Sequence, residues 1–217
     1  MAAAGAKEKP IRSTFEAAAR KLGYSLIAGA DEAGRGSLFG PVYAAAVILD
    51  KANPIRGLRD SKQLSRERRE VLAERIRERA LAWAVATADA SEIDAINIYQ
   101  ASRLAIKRAV SMLLPPPDYL LVDALQIDLD IPQEGIIHGD ALSPSIAAAS
   151  ILAKVDRDAC LCEYDRRYPQ YGLAKHKGYP TPEHLEALAL HGPTPHHRMS
   201  YAPVRQLPLF PPTEVWA

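Results

Sequence analysis

Apolar residues in this 217-residue chain follow two rhythms. Short unbroken runs predict buried strands at Tyr24 to Ala30 (YSLIAGA), Val42 to Leu49 (VYAAAVIL), Trp83 to Thr87, Tyr119 to Val122 (YLLV) and Gly135 to His138. Helical spacing recurs elsewhere. Leu64, Val71, Leu72 and Ile76 lie within a charged stretch and predict a surface helix over 64–79. Asn97 to Leu114 predicts a longer amphipathic helix, stopped by Pro115-Pro116-Pro117. Ser13 and Glu16 form a capping-box pattern that opens a short helix, and Gly23 stops it. Ser143 and Pro144, as N-cap and first-turn proline, open the helix SIAAASILAKVDRDACLCEYDRRY. A polar turn, YGLAKHKGYPTP, then leads to a last helix near 183–190. The first two strands are most simply antiparallel. Three early strands, then helices alternating with strands, predict an α/β fold: a mixed central sheet flanked by helices, with a small C-terminal helical region. Residues 1–12 are expected to form a disordered tail, 13–204 the folded domain, and the proline-rich 205–217 a flexible C-terminal tail.

Composition narrows the class without naming a partner. An apolar fraction of 48% and a charged fraction of 24% are those of an ordinary globular protein. A net charge of +1 makes no global case for nucleic acid, so such a surface would need local segregation of lysine and arginine. The two cysteines, Cys160 and Cys162, would turn away from each other on a helix, which disfavours a mutual disulfide. The N-terminal stretch MAAAGAKEKPIRST lacks the apolar core of a signal peptide. No run approaches the roughly 20 apolar residues that span a bilayer. The expectation is a soluble cytoplasmic protein with no membrane partner.

The candidate chemistry begins at residues 28–41, AGADEAGRGSLFGP. Gly34, Gly36 and Gly40 miss the dinucleotide-binding spacing, and Pro41 with a β-rich run follows where that motif needs a helix. No phosphate-loop pattern occurs either. The acids are more informative. Asp31, Glu32, Asp123 and Asp140 each stand where an apolar element gives way to a turn, and strand ends are where α/β proteins assemble sites. Clustered carboxylates raise one another's pKa unless cations hold them, and hard divalent ions such as Mg²⁺ or Mn²⁺ suit oxygen donors. Two such ions ~3.5–4 Å apart can activate water and stabilise a leaving oxygen. Asp31 and Glu32 are adjacent, so ideal strand geometry sends them to opposite faces, and Glu32 is expected at a distorted strand end. The competing reading is a set of turn acids and caps, as expected for Asp128, Asp130 and Asp156. Spacing alone leaves both open. His176, His196 and His197 lack the spacing of a zinc site.

The stretch AGADEAGRGSLFGPVYAAAVIL resembles the first motif of ribonuclease HII, the type 2 ribonuclease H. The likeness continues, in family order, through LRDSKQLS, NIYQASRLA, LLVDA, GDALSPSIAAASILAKVDRD, YGLAKHKGYPTPEH and HGPTPHHRMSYAPV, roughly Tyr24 to Val204. The resemblance implies an RNase H-like fold and a metal-dependent endonuclease acting on RNA/DNA hybrids. It also implies nicking of duplex DNA 5′ of an embedded ribonucleotide, with 3′-hydroxyl and 5′-phosphate products. Asp31, Glu32, Asp123 and Asp140 fall on the family's metal ligands, for two Mn²⁺ or Mg²⁺ ions. Gly34-Arg35-Gly36 falls on its ribonucleotide-reading turn, Tyr179 on the ring that packs on the following sugar, and Lys62 and Lys177 on phosphate contacts. Lys154, Arg157 and Arg198 are expected to extend a basic surface. Three positions depart from the pattern: His138 for lysine, Ala124 for glycine, and Pro180 for glycine. Within the fold, ribonuclease HIII or a resolvase-like nuclease is the alternative; outside it, a silent nucleic-acid-binding module. A monomer is the default. Gln206-Leu207-Pro208-Leu209-Phe210 resembles the peptide by which bacterial DNA enzymes grip the replication sliding clamp, or else packs back on the domain.

Overall fold

The computed structural model describes Ile11 and residues 13–206. Helix α1 (Thr14–Lys21) leads into strands β1 (Ile27–Ala33) and β2 (Val42–Leu49). Helix α2 (Arg66–Arg79) runs directly into β3 (Ala80–Ala88), and α3 (Ala90–Ser111) precedes β4 (Tyr119–Asp123) and β5 (Gln133–Ile136). The single turn α4 (Gly139–Leu142) and the long α5 (Pro144–Arg167) follow. Three short helices, α6 (Leu173–His176), α7 (Pro182–His191) and α8 (Ala202–Arg205), complete the described chain. The sheet order is β3-β2-β1-β4-β5; β1 runs antiparallel to β2 and parallel to β4, and β5 is parallel to β4. This is the expected mixed sheet flanked by helices.

Both faces of the sheet are covered, which explains why its strands are apolar runs instead of alternating ones. On β2, Val42, Ala44, Ala46 and Ile48 pack with Ala101, Ala105, Ile106 and Ala109 of α3. Ala45 and Val47 face the other way, toward Leu72 and Ile76 of α2 and Ala147 to Ala149 of α5. Helix α5 is buried at every position from Ser145 to Ala153. Small residues on helix and sheet let their backbones approach closely. The approach is tightest at Gly29: a Cβ there would lie 2.1 Å from the Ser145 carbonyl carbon and 2.3 Å from the Ile146 nitrogen. Two residues later on the same strand comes Asp31, so this contact sets the distance between that acid and α5.

Several helix ends are as expected. Ser143 Oγ accepts from the Ile146 N–H at 3.2 Å, with Pro144 in the first turn of α5. The Ser13–Glu16 capping box does not form. Ser13 makes no side-chain cap bond, and Glu16 is buried, accepting from Ser143 Oγ at 2.6 Å and from the Ser145 N–H at 3.1 Å. Its carboxylate meets the N-terminus of α5, where the helix dipole favours an anion. Helix α3 begins earlier than its periodicity predicts because Asp89 and Glu92 form a capping box. The predicted start, Asn97, is an internal break with φ +65°, and its side chain accepts from the Gln100 N–H at 3.1 Å. Asp156 is not a turn acid. It lies within α5 and pairs with Arg77 of α2. Both cysteines are free. Among the described residues, no helix is long and apolar enough to cross a membrane.

The C-terminal helices make a satellite core. Leu38 and Phe39, from the loop after β1, pack with Leu161, Tyr171, Leu173, Leu188 and Val204. His184 and His197 are buried beside it. Burial pushes His197 down to about 3 and also lowers His184, and neighbouring histidines add to both effects. Both are therefore neutral in the fold, whereas unfolded histidine titrates near ~6.5.

Two measurements follow from this packing. Gly29→Ala drives a methyl group into backbone atoms that cannot step aside, so it should cost about 3 kcal/mol or more in urea unfolding. Because the unfolded chain takes up histidine protons that the fold refuses, the stability from His197 is complete above ~6.5 and declines as pH falls from there toward about 3. Unfolding free energies at pH 7 and pH 5 should show a shallower loss for His197→Gln than for the parent; equal slopes would contradict this.

Candidate active site

Strands β1 and β4 pair in parallel from Ile27↔Tyr119 to Ala30↔Val122. The next residue on each strand is an acid, Asp31 on one and Asp123 on the other. Asp123 also ends the pairing with β5, opposite Ile136. Asp140 follows in α4, and its neighbour Gly139 donates its N–H to Asp123 Oδ1 at 2.7 Å. Three carboxylates thus gather beyond the paired stretch of the parallel strands β1, β4 and β5, two on strands and the third in the helical turn after β5. The topology brings them together across more than a hundred residues of sequence.

Glu32 reaches this group differently from expectation. β1 is not distorted there, since Glu32 still pairs with Ala44, and Asp31 with Ala45, in regular antiparallel register. The two acids therefore occupy opposite faces of one strand. Both overhang the point where pairing with β4 has stopped. Asp31 Oδ1 accepts the Glu32 N–H at 2.7 Å, and Glu32 Oε1 accepts from Arg35 at 3.3 Å.

The electrostatics identify Asp123 as the common neighbour. Burial raises Asp31 well above the ordinary carboxylate range, and the charges of Glu32 and Asp123 add to that rise while Ser150 offsets part of it. Burial raises Glu32 as well, with Arg35 opposing and Asp123 reinforcing the shift. Asp140 is raised by burial, lowered in part by Lys62, and pushed up again by Asp60 and Asp123. Like charges this close favour protonation unless positive charge arrives. Glu32 Oε2 is buried with no hydrogen-bond partner. An orphaned anionic oxygen among hard oxygen donors fits a divalent cation. Among the described residues, no three acidic, histidine or cysteine side chains already enclose a shared ion position. Their oxygens are partly engaged by Glu32 N–H, Gly139 N–H, Arg35 and Lys62 instead.

The glycine turn lies beside the acids. Gly34 has φ +97°, and a Cβ on it would fall 2.0 Å from Arg157 Nε, so both conformation and space exclude a side chain. Tyr179 approaches the same turn, its Cε1 3.7 Å from where a Gly36 Cβ would stand, and the residue is 37% exposed. Lys62 Nζ sits 3.4 Å from Asp140 Oδ2 on a side chain that is 80% exposed. Lys177 turns inward, donating to the Ala174 carbonyl at 2.6 Å and to Cys162 Sγ at 3.2 Å. Gln206 is exposed at the end of α8, while Leu207, Leu209 and Phe210 lie outside the described residues.

Two of the three residues expected to extend a basic surface do not. Arg157 and Arg198 are completely buried. Arg157 donates to the Lys177 carbonyl at 2.9 Å and lies 5.5 Å from the Tyr179 ring centroid. Arg198 donates to the Arg35 carbonyl at 2.8 Å and the Gly40 carbonyl at 3.0 Å, and Tyr201 also donates to Arg35. They brace the glycine turn and the tyrosine loop from beneath. Lys154 pairs with Asp158 at 2.7 Å. Nothing in the local sequence distinguishes a bracing arginine from a surface one. Asp60 and Ser150, which perturb the acids, escape sequence reading for the same reason. The three departures are accommodated. Ala124 takes φ +50° and His138 φ +58°, conformations that glycine adopts more readily, and Pro180 sits in a tight turn where the Thr181 N–H donates to the Tyr179 carbonyl at 2.8 Å.

Comparison with known proteins bears on these same elements. The family model for ribonuclease HII matches residues 28–204. A ribonuclease HII from Solibacter usitatus is 59% identical over 199 residues, covering 92% of this chain and 87% of that protein. The ribonuclease H2 structure from Pyrococcus horikoshii aligns with a TM-score of 0.72 at 26% identity, over 83% of this chain and 96% of that one. The structure of the PCNA:RNase HII complex from Archaeoglobus fulgidus aligns with a TM-score of 0.68 at 27% identity, over 85% of this chain and 98% of that one. The matched span holds every acid of the strand-end cluster and the glycine turn beside it, so this chain belongs to the ribonuclease HII family and is an endoribonuclease that degrades the RNA of RNA/DNA hybrids.

Proposed function

We propose that Asp31, Glu32, Asp123 and Asp140 hold two divalent cations, Mg²⁺ or Mn²⁺, and that the enzyme nicks duplex DNA 5′ of an embedded ribonucleotide. The products are a 3′-hydroxyl and a 5′-phosphate, and the reaction opens ribonucleotide excision repair and removes RNA primers. The observation that carries this reading is the only partly compensated carboxylate cluster around Asp123, with its orphaned Glu32 oxygen. Cations held by these four acids would supply the positive charge that a scissile phosphate and an attacking water require. Arg35 and Lys62 now partly neutralise Glu32 and Asp140, and each is free to turn to a phosphate once cations take over that task. The glycines of Gly34-Arg35-Gly36 let backbone groups approach a 2′-hydroxyl, which both donates and accepts, while the Arg35 carbonyl is already held by Arg198 and Tyr201. The half-exposed Tyr179 ring supplies a rigid face for the next sugar. Lys177 reaches a phosphate only by releasing the Ala174 carbonyl. All four acids being present favours a nuclease over a silent binding module.

We also propose that Gln206, Leu207, Leu209 and Phe210 grip a sliding clamp. The archaeal ribonuclease HII in complex with PCNA supports this, as does the position of Gln206 at the exposed end of α8.

A duplex with one ribonucleotide, incubated with Mg²⁺ or Mn²⁺, should be nicked on the 5′ side of that residue by the parent, while an all-DNA control stays intact. Asp140→Asn should lower the rate at least ~100-fold, from loss of a charge that the transition state needs. Parent-like turnover by that variant would remove Asp140 from the proposed site. For the tail, a clamp pull-down should capture the parent and lose the Leu209→Ala, Phe210→Ala double variant, whose nicking of short duplexes stays normal; equal capture would exclude these anchors.

A further inference from the structure

Three histidines away from the acids form one connected chain. The Thr194 N–H donates to His197 Nδ1 at 2.9 Å, which leaves the neutral His197 proton on Nε2. That Nε2 faces His184 Nε2 at 3.3 Å, so the His184 proton lies on Nδ1, 3.0 Å from the Tyr179 carbonyl oxygen. His176 stacks on His184 with centroids 4.5 Å apart and planes 18° from parallel. Its Nδ1 accepts from the Gly178 N–H at 3.2 Å, and its Nε2–H donates to the Tyr171 carbonyl at 2.7 Å. Each ring has one tautomer that satisfies its neighbours.

The chain ends on the segment that carries Lys177 and Tyr179. Three successive carbonyls of that segment are held by different parts of the molecule. Lys177 is held by Arg157 at 2.9 Å, Gly178 by the Leu38 N–H at 2.8 Å, and Tyr179 by both His184 and the Thr181 N–H. Leu38 belongs to the glycine-turn loop, so the two loops are locked in mutual register. Neutral imidazole suits the buried link because it places one donor and one acceptor at opposite ends of a rigid ring. An amide carries both at one end, and an ammonium or guanidinium adds charge.

We propose that His197, His184 and His176 are positioning residues that fix the backbone from which the Tyr179 ring extends beside the Gly34–Gly36 turn, ready for the sugar beyond a ribonucleotide; this rests on the reading of Tyr179 as a substrate contact. Their contribution is to binding geometry, because none of them touches the acidic cluster.

The first test uses the parent protein. Imidazole ¹⁵N resonances near pH 7 should show His197 and His176 protonated on Nε2 and His184 on Nδ1; His184 protonated on Nε2 would overturn the chain. The second compares kinetics on a duplex with a single ribonucleotide. His184→Phe keeps an aromatic ring to stack on His176 but is somewhat larger and loses both the donor to Tyr179 and the acceptor for His197, and should raise KM roughly five- to tenfold with kcat within about twofold. His184→Asn places an amide N–H where Nδ1 stood and should recover most of that loss. Folded His184 variants with parent KM, beside a Tyr179→Ala variant with raised KM, overturn the positioning role and leave the substrate reading intact. An unchanged KM in Tyr179→Ala removes the substrate reading and the proposal with it.

Discussion

Carboxylates buried close together at the end of a sheet are costly, and the rest of this molecule is arranged so that the cost can be met. Asp123 sits at the centre, felt by Asp31, Glu32 and Asp140, and each of the three is driven toward its protonated form by burial and by its neighbours. Two exposed cations, Arg35 and Lys62, relieve a part of the repulsion. They leave Glu32 Oε2 without a partner. A protein that needed only stability would replace such groups with apolar ones. Keeping them makes sense where a cation and a phosphate enter together and cancel charge that the fold alone does not.

The frame that holds these acids is built for close approach. Alanines on β2 and α5, and Gly29 facing the backbone of Ser145 and Ile146, bring the long helix down onto the strand that carries Asp31 and Glu32. Buried polar residues do the corresponding work around the glycine turn and the tyrosine loop. Arg157 and Arg198 tie carbonyls of the glycine turn and the tyrosine loop, and the histidine chain adds an uncharged tie. Burial lowers the basicity of both arginines, and Arg198 falls to about 10 with the charge of Arg157 adding to the effect, while the neighbouring tyrosines offset part of it. Precision of loops is obtained here from backbone carbonyls held by side chains from distant elements.

Much of the fold was legible in the residues. Strand β2 falls at its predicted bounds, and Ser143-Pro144 opens α5 as expected, because unbroken apolar runs and local cap chemistry depend on neighbours in sequence. The failures share one cause. Glu16 looked like a local cap and instead binds serines more than 120 residues away. Asp156 looked like a turn acid and pairs across to α2. Arg157 and Arg198 looked like surface charge and are the most deeply buried cations described. A long polar side chain carries no local mark of whether it meets water or a carbonyl.

Sequence alone determined which residues are candidates for the chemistry: four acids where apolar elements give way to turns, a glycine turn beside two of them, and an order of motifs that belongs to one family. It determined this because apolar periodicity, turn chemistry and residue type are properties of short stretches. Only the tertiary structure decided that Asp31 and Asp123 lie just past the paired stretch of the parallel strands β1 and β4 with Asp140 in the turn of helix after β5, that Glu32 joins them from the opposite face of an undistorted β1, and that histidines and arginines hold the tyrosine loop. Strand order and the partners of buried polar groups arise from contacts between remote segments, and no local pattern encodes them.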